Sequence, residues 1–345
     1  MAPPTKRVAF CHPDLGIGGA ERLVVDAAVA LSERGCRVDI FTAHHDRSRC
    51  FDETLTDRWF RVIVRGAWFP RTLLGRAIAL CAYVRCAIIA IVIAMRHRRS
   101  RRRGDAGYDA VLVDQVAAAV LPVRLIAPDL RVVFYCHFPD LLLSPSRRGL
   151  LERAYRRPLD WLEETGTGAA HAVLVNSRFT RRIFFDTFQR LKRRGTEVRV
   201  LYPAVALPPP AAAGGASDAA RKGSDTVTFL SINRFERKKN VALAVEALAR
   251  LHAAMDGSPS TLPMLVLAGG FDPRLPENAE VMAHLETLAQ RLGVASHVSF
   301  RPSVPSDAKA RLLSRCRAVL YTPQNEHFGI VPLEAMAAGK PVIAW

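Results

Sequence analysis

Two kinds of apolar pattern alternate along this chain. Short, uninterrupted apolar runs at Arg7–Cys11, Arg37–Thr42, Ala110–Val113, Val132–Cys136, Ala172–Val175 and Val198–Leu201 match strands buried on both faces. Between them lie helical stretches, beginning with an amphipathic helix over Ala20–Glu33 that Gly35 stops. This is the rhythm of a parallel sheet with crossover helices. Residues 206–225, rich in Ala, Pro, Gly and Ser, interrupt it and read as a linker. The rhythm then resumes with strands at Val227–Ile232, Met264–Ala268, His297–Phe300 and Ala318–Tyr321. Helices at Val241–Met255, Val281–Leu292 and Asp307–Arg315 alternate with them, and a short helix over Leu333–Ala338 precedes the apolar run Pro341–Ala344. The pattern predicts two doubly wound α/β domains, 1–205 and 226–345, facing a cleft. The final apolar run has nothing after it to cover it, so the second domain reads as truncated at its C-terminal end.

Composition narrows the class. Of 345 residues, 50% are hydrophobic and 23% charged, which supplies two packed cores and excludes a disordered chain. The net charge of +17 calls for an anionic partner: nucleic acid, a membrane surface or a phosphorylated substrate. Nucleic acid fits worst, because the aromatics are not interleaved with the basic runs and no RNA- or DNA-binding motif appears. The seven cysteines are odd in number and form no C-x-x-C, so they read as buried free thiols in a reducing compartment. Neither a disulfide framework nor a metal site is expected. Met1–Thr5 is too short and polar for a signal peptide.

One segment departs from ordinary domain grammar. Ala77–Met95 is almost wholly apolar, interrupted chiefly by Arg85, and is followed by six arginines within Arg96–Arg103. It is long enough for a bilayer core, and its basic flank suits a cytosolic leaflet. Strands of one sheet precede and follow it, which a full crossing would separate. The segment is therefore expected to enter or lie in one leaflet without crossing, with Arg85 and the arginine run at anionic headgroups.

Candidate chemistry concentrates in loops after strands. Arg234 and Lys239, five apart between a strand and a helix, could converge on one diphosphate, with Asn240 as the helix N-cap. Glu326 precedes a helix in which Pro332 suits the first position and Glu334 the first turn. Gly329 would let backbone approach a ligand, and the amides around Phe328, Gly329 and Ile330 could bind phosphate or sugar oxygens. Two carboxylates flanking an anion site suit a nucleotide sugar. In the first domain Gly16, Gly18 and Gly19 form G-x-G-G, but Glu21 stands where the dinucleotide fingerprint needs its third glycine. His137 follows an apolar strand, where site residues of α/β sheets lie, and His12 is placed similarly.

These blocks carry a resemblance. Glu326 and Glu334, with seven residues between them, resemble the signature of retaining glycosyltransferases of GT-B fold, and Arg234 with Lys239 matches that family's diphosphate pair. The stretches His12–Arg22, Tyr135–Leu143, Ser231–Asn240 and Asn325–Met336 are similar to the α-1,3/1,6-mannosyltransferases of dolichol-linked oligosaccharide assembly. The resemblance implies transfer of mannose from GDP-mannose to a mannosyl-chitobiosyl-diphosphodolichol at the cytosolic face of the endoplasmic reticulum membrane. It implies that Glu334 binds the ribose, Glu326 the transferred hexose, and Arg234 and Lys239 the departing diphosphate. It also sets the glycine loop, with Gly18 and Gly19, against the donor phosphate and the acceptor, places His12, His137 and Asp140 on the acceptor side, and counts His137 with Glu326, Lys239 and Arg234 as catalytic. It implies no metal and no cofactor beyond the sugar-nucleotide substrate. Other dolichol-pathway glycosyltransferases are candidate partners. Family members carry further elements beyond the last strand. Two alternatives stand beside this reading: another lipid-linked GT-B enzyme, such as a phosphatidylinositol mannosyltransferase, and an inactive scaffold of the same pathway.

Overall fold

The computed structural model describes residues 5–73, 77–143, 149–205, 227–255, 262–272, 275–324 and 326–345. The expected linker at 206–225 and Asn325 of the quoted motif lie outside them. The chain divides into two compact units, with the division at Ala204 and Val205.

The first unit is built on seven parallel strands: β1 (Arg7–Asp14), β2 (Arg37–His44), β3 (Arg61–Val64), β4 (Ala110–Asp114), β5 (Arg131–Cys136), β6 (Ala172–Val175) and β7 (Val198–Val200). Their order is β3-β2-β1-β4-β5-β6-β7, with Val8 paired to Val38 on one side and to Ala110 on the other. Both faces of the sheet are covered, which is why its central strands read as continuous apolar runs. On one face Phe10, Ile40 and Tyr135 pack with the Gly19–Glu33 helix through Leu23, Val24 and Ala28. The opposite face buries Cys11, Phe41, Val113 and Phe134 beneath helices at Ile78–Arg102 and Val120–Ile126.

The apolar segment therefore has a structural role that differs from its expected one. It forms one helix, Ile78–Arg102, running through the arginine cluster. Cys86, Ile89, Ala90, Ile93 and Ala94 face the core of the first sheet. Arg85 does not reach toward headgroups; it is buried at 6% exposure and ion-pairs with Asp14. His97, inside the basic run, is also buried, accepting from the Tyr108 backbone N–H and donating to Asp129. Arg99, Arg101 and Arg102 occupy the last turn, where cations offset the helix dipole. Length and composition would allow the helix to cross a membrane, but its buried stripe is the reason for much of that apolarity. Ile78, Leu80, Ile91 and Met95 remain on its exposed side.

The second unit has five parallel strands, β8 (Thr228–Ile232), β9 (Met264–Gly269), β10 (Val298–Pro302), β11 (Ala318–Tyr321) and β12 (Val342–Ala344), in the order β10-β9-β8-β11-β12. Helices Ala242–Ala253 and Pro276–Arg291 cover one face, and Ser306–Arg315 with Ile330–Ala337 lies against the other. In each sheet the strand order reverses beside the first strand, between β1 and β4 and between β8 and β11. Loops leaving the carboxyl ends of such a pair diverge, which opens the crevice where doubly wound sheets bind ligands. The loops after β8 and β11 carry Arg234, Lys239 and Glu326. The ends of β1 and β4 carry His12, Asp14 and Asp114.

Candidate functional site

In the second unit the two loops are tied together. Thr322 donates through its hydroxyl to the Lys239 carbonyl at 2.8 Å, and Lys239 Nζ donates to Glu326 Oε2 at 2.5 Å. Both charged side chains are largely shielded, so the pair interacts more strongly than a surface bridge. Glu326 also accepts from the Tyr321 hydroxyl, whose pKa is pushed up by burial and by the Glu326 charge. Glu334 pairs separately with Lys309, Nζ to Oε1 at 2.7 Å, on the helix Ser306–Arg315. Arg234 turns instead to Glu236, at 3.0 Å. The structure thus gives each of the four charged residues expected at the donor site, Arg234, Lys239, Glu326 and Glu334, a partner of opposite charge.

Three local expectations need correction. Asn240 is not an N-cap: with φ of 48° it ends a 3-10 turn at Arg237–Lys239, and the next helix starts at Ala242 behind Val241. The last helix begins at Ile330 with Gly329 as its N-cap, so Pro332 is its third residue and Glu334 lies past its first turn. A Cβ at Gly329 would stand 2.6 Å from the Tyr321 hydroxyl, so a side chain there would have to displace that ring from its bond to Glu326. Ile330 opens the helix, so the amides of Ile330 and Val331 lack intrahelical partners by position and can serve an anion.

In the first unit a carboxylate organises the site. Asp114, the last residue of β4, receives His12 Nδ1 on Oδ2 and His137 Nε2 on Oδ1, both at 2.8 Å. An ionised carboxylate only accepts, so both rings donate to it. His12 donates its second nitrogen to the Asp14 carbonyl at 3.1 Å, which makes it a two-fold donor, the bonding of an imidazolium. Burial is the largest influence on His12 and opposes its charge, but the bond to Asp114 and the Asp114 and Glu21 charges outweigh it, so its pKa rises. Burial likewise opposes charge on Asp114, yet the His137 charge and the two histidine bonds hold it down at about 2. His137 is further fixed by Asn176, which donates to its carbonyl at 2.9 Å, and is the more exposed of the two rings.

Asp140 sits in a second network. It accepts from Tyr83 at 3.3 Å and Arg156 at 3.0 Å, while its backbone N–H and that of Leu141 donate to Glu163. Burial, then the Asp140 charge, raises the Glu163 pKa to about 8. Gly18 is the N-cap of the Gly19–Glu33 helix, and the Glu21 carboxylate folds back to lie against it. Asp114, Lys309, Tyr321 and Glu163 were not expected from the sequence. Asp114 had a usable signal, a polar residue closing an apolar strand, the same signal that singled out His137. The other three are recognised only by what they touch.

Comparison with known proteins follows this geometry. Residues 17–205 match the model for Glycosyltransferase Family 4, and residues 217–345 the model for glycosyl transferases group 1. The mouse α-1,3/1,6-mannosyltransferase ALG2 is 45% identical over 347 residues, covering 98% of this chain and 79% of that protein. Its human counterpart is 44% identical, covering 99% and 80%. Among solved structures, sucrose-phosphate synthase from Thermosynechococcus elongatus superposes with a TM-score of 0.71 at 21% identity, over 98% of this chain and 81% of that one. WaaG, a glycosyltransferase involved in lipopolysaccharide biosynthesis, gives 0.65 at 21% identity, over 98% and 80%. At such identities these two structures speak for the fold, a GT-B pair of Rossmann-like units.

Proposed function

The chain belongs to the ALG2 family of α-1,3/1,6-mannosyltransferases, and on that premise we propose that it moves mannose from GDP-mannose onto a one-mannose chitobiosyl-diphosphodolichol, forming first an α-1,3 and then an α-1,6 linkage. The observation that carries the reading is the 44–45% identity across 98–99% of the chain, which spans 79–80% of the length of those relatives. The place of action is the cytosolic face of the endoplasmic reticulum membrane. The exposed side of the Ile78–Arg102 helix and its arginine run would supply contacts to an anionic surface.

In this reading the second unit handles the donor. Glycosyl transfer separates charge: the sugar becomes oxocarbenium-like while negative charge grows on the departing diphosphate. Lys239 and Arg234 stabilise that diphosphate, with the N-terminal amides of the Ile330–Ala337 helix. Glu326, held against Lys239, places a carboxylate toward the hexose. Because the ammonium is already fixed by Glu326 and by the Thr322 tie, little reorganisation is needed as charge develops. Glu334 takes the ribose hydroxyls with Oε2 while Lys309 holds Oε1. Glu334→Ala is expected to raise the KM for GDP-mannose about ten-fold or more with a smaller change in kcat, and Lys309→Ala to do the same more weakly. Initial rates against GDP-mannose check this; a pure kcat defect in Glu334→Ala would remove its binding role.

On the acceptor side, His137, oriented by Asp114, is the group placed to receive a proton from the attacking hydroxyl, with His12 and Asp140 supporting the same edge. The function is tested by incubating the purified chain in detergent with GDP-mannose and a synthetic one-mannose acceptor on an isoprenoid diphosphate. Products with two and then three mannoses, cleaved by linkage-specific α-mannosidases, are expected. Transfer to phosphatidylinositol but not to this acceptor would replace the reading with the other lipid-linked class.

A further inference from the structure

We propose that Arg71 and Arg85, converging on Asp14 at the end of β1, form an anion site that takes the diphosphate of an isoprenoid-linked acceptor. The inference rests on the acceptor class proposed above and assigns that class to named residues.

Arg85 is the anomaly that points to it. A guanidinium in the middle of an apolar helix, 6% exposed, is strongly unfavourable unless it is paired and fully hydrogen-bonded. Arg85 is only partly so. Its Nη2 lies 3.1 Å from Asp14 Oδ1, and its Nε has no hydrogen-bond partner among the described residues. Arg71 brings a second guanidinium to the same carboxylate, Nη2 to Oδ2 at 2.9 Å. One carboxylate thus serves two guanidiniums with ten N–H donors between them, leaving positive charge and donors in excess. A planar fork of this kind matches phosphate oxygens two at a time, and two forks match a diphosphate.

The location fits an acceptor. Asp14 closes β1, next in the sheet to β4, whose Asp114 holds His137, and the Asp14 carbonyl itself accepts from His12. The site is open on the Arg71 side, where Asp14 and Arg71 are each more than a third exposed, while Arg85 Nε and Asp14 Oδ1 lie buried behind it. The segments that deliver these residues carry exposed apolar side chains: Ile17 after Asp14, Trp68 and Leu73 around Arg71, and Ile78 at the start of the Arg85 helix. Trp68 is 77% exposed. A basic pair, Arg85 buried and Arg71 exposed, flanked by large exposed apolar residues suits a ligand with a phosphate head and a hydrocarbon tail.

The test uses the full chain and its Arg71→Ala, Arg85→Lys and Asp14→Asn variants. Arg71 is exposed, so its truncation leaves folding intact; Arg85→Lys keeps the buried charge and removes only the fork. Binding of geranylgeranyl diphosphate is measured by calorimetry beside geranylgeraniol, inorganic pyrophosphate and GDP, and acceptor and GDP-mannose KM values are measured in parallel. Arg71→Ala and Arg85→Lys are expected to weaken geranylgeranyl diphosphate binding and raise the acceptor KM roughly ten- to hundred-fold, with GDP binding and GDP-mannose KM unchanged. Asp14→Asn, which removes the competing carboxylate, is expected to tighten geranylgeranyl diphosphate binding, whereas a merely structural ion pair predicts the reverse. Equal affinity for the diphosphate and the alcohol, or unchanged diphosphate binding in both arginine variants, overturns the site. Mannose transfer with an unchanged acceptor KM in both variants overturns it while leaving the proposed function standing. Diphosphate binding that depends on both arginines, without transfer to any isoprenoid acceptor, keeps the site and removes that function.

Discussion

Replacing Lys239 by alanine is expected to lower mannose transfer about 10²- to 10³-fold, mainly through kcat. That is the usual effect of removing one preorganised donor aimed at developing charge. Lys239 is suited to such a role because its ammonium is placed before the donor arrives. Its backbone carbonyl is bound by Thr322 and its Nζ by Glu326, so the loops after β8 and β11 share one fixed cation. Alanine removes that charge and also leaves Glu326, only a quarter exposed, without its ammonium partner. The two losses can be separated with Glu326→Gln and the double variant, since directly coupled residues give non-additive effects. If Lys239 acts on the diphosphate in its own right, Lys239→Ala remains impaired in the Glu326→Gln background. If it serves only to hold Glu326, the double variant is no worse than Glu326→Gln alone. Initial rates at saturating GDP-mannose decide between them, and near-normal turnover in Lys239→Ala would remove the diphosphate assignment.

The sequence revealed strands more readily than site contacts, and the reason is physical. A central parallel strand is apolar on both faces, so β1, β4, β5 and β8 stand out as runs. β3 did not, because it is a four-residue edge strand with both ends exposed. The apolarity of residues 77–95 was plain, but composition alone does not distinguish a helix facing lipid from one facing a sheet. Its partners, such as Phe41 and Val113, come from strands on either side of it in the chain. Turn geometry was read less well at Asn240 and Pro332, where one or two residues of shift move a cap. The motif residues Glu326, Glu334 and Lys239 were legible from loop position and spacing. Their pairing was not, since Lys239 meets Glu326 across 87 residues and His12 meets Asp114 across 102. Long-range contacts of this kind leave no local pattern.

Asp114 is where the largest loss of stability is expected. Truncating one member of a buried, hydrogen-bonded ionic cluster costs about 3–5 kcal/mol, a large part of the roughly 5–15 kcal/mol that holds a domain folded. Asp114→Ala would leave His12, which has no exposed surface, bonded only to the Asp14 carbonyl, and would free the ring of His137. Asp114→Asn keeps the volume and one acceptor, so it tests the charge with less disturbance of packing. Linkage gives the charge effect a distinct pH signature. The Asp114 pKa is depressed to about 2, so its contribution is present above its ordinary value of 3.8 and is lost as pH falls through about 2. The His12 pKa is raised, so its contribution is complete below 6.5 and is lost as pH rises through the folded-state value. Carboxylate and imidazolium therefore stabilise together most strongly between about pH 4 and 6.5. Urea unfolding of the wild type and Asp114→Asn across about pH 3 to 9 should show the largest stability gap near the middle of that window, narrowing on both sides. A gap independent of pH would mean that Asp114 acts by shape and neutral hydrogen bonding, and His12 would then have to be read as a neutral ring.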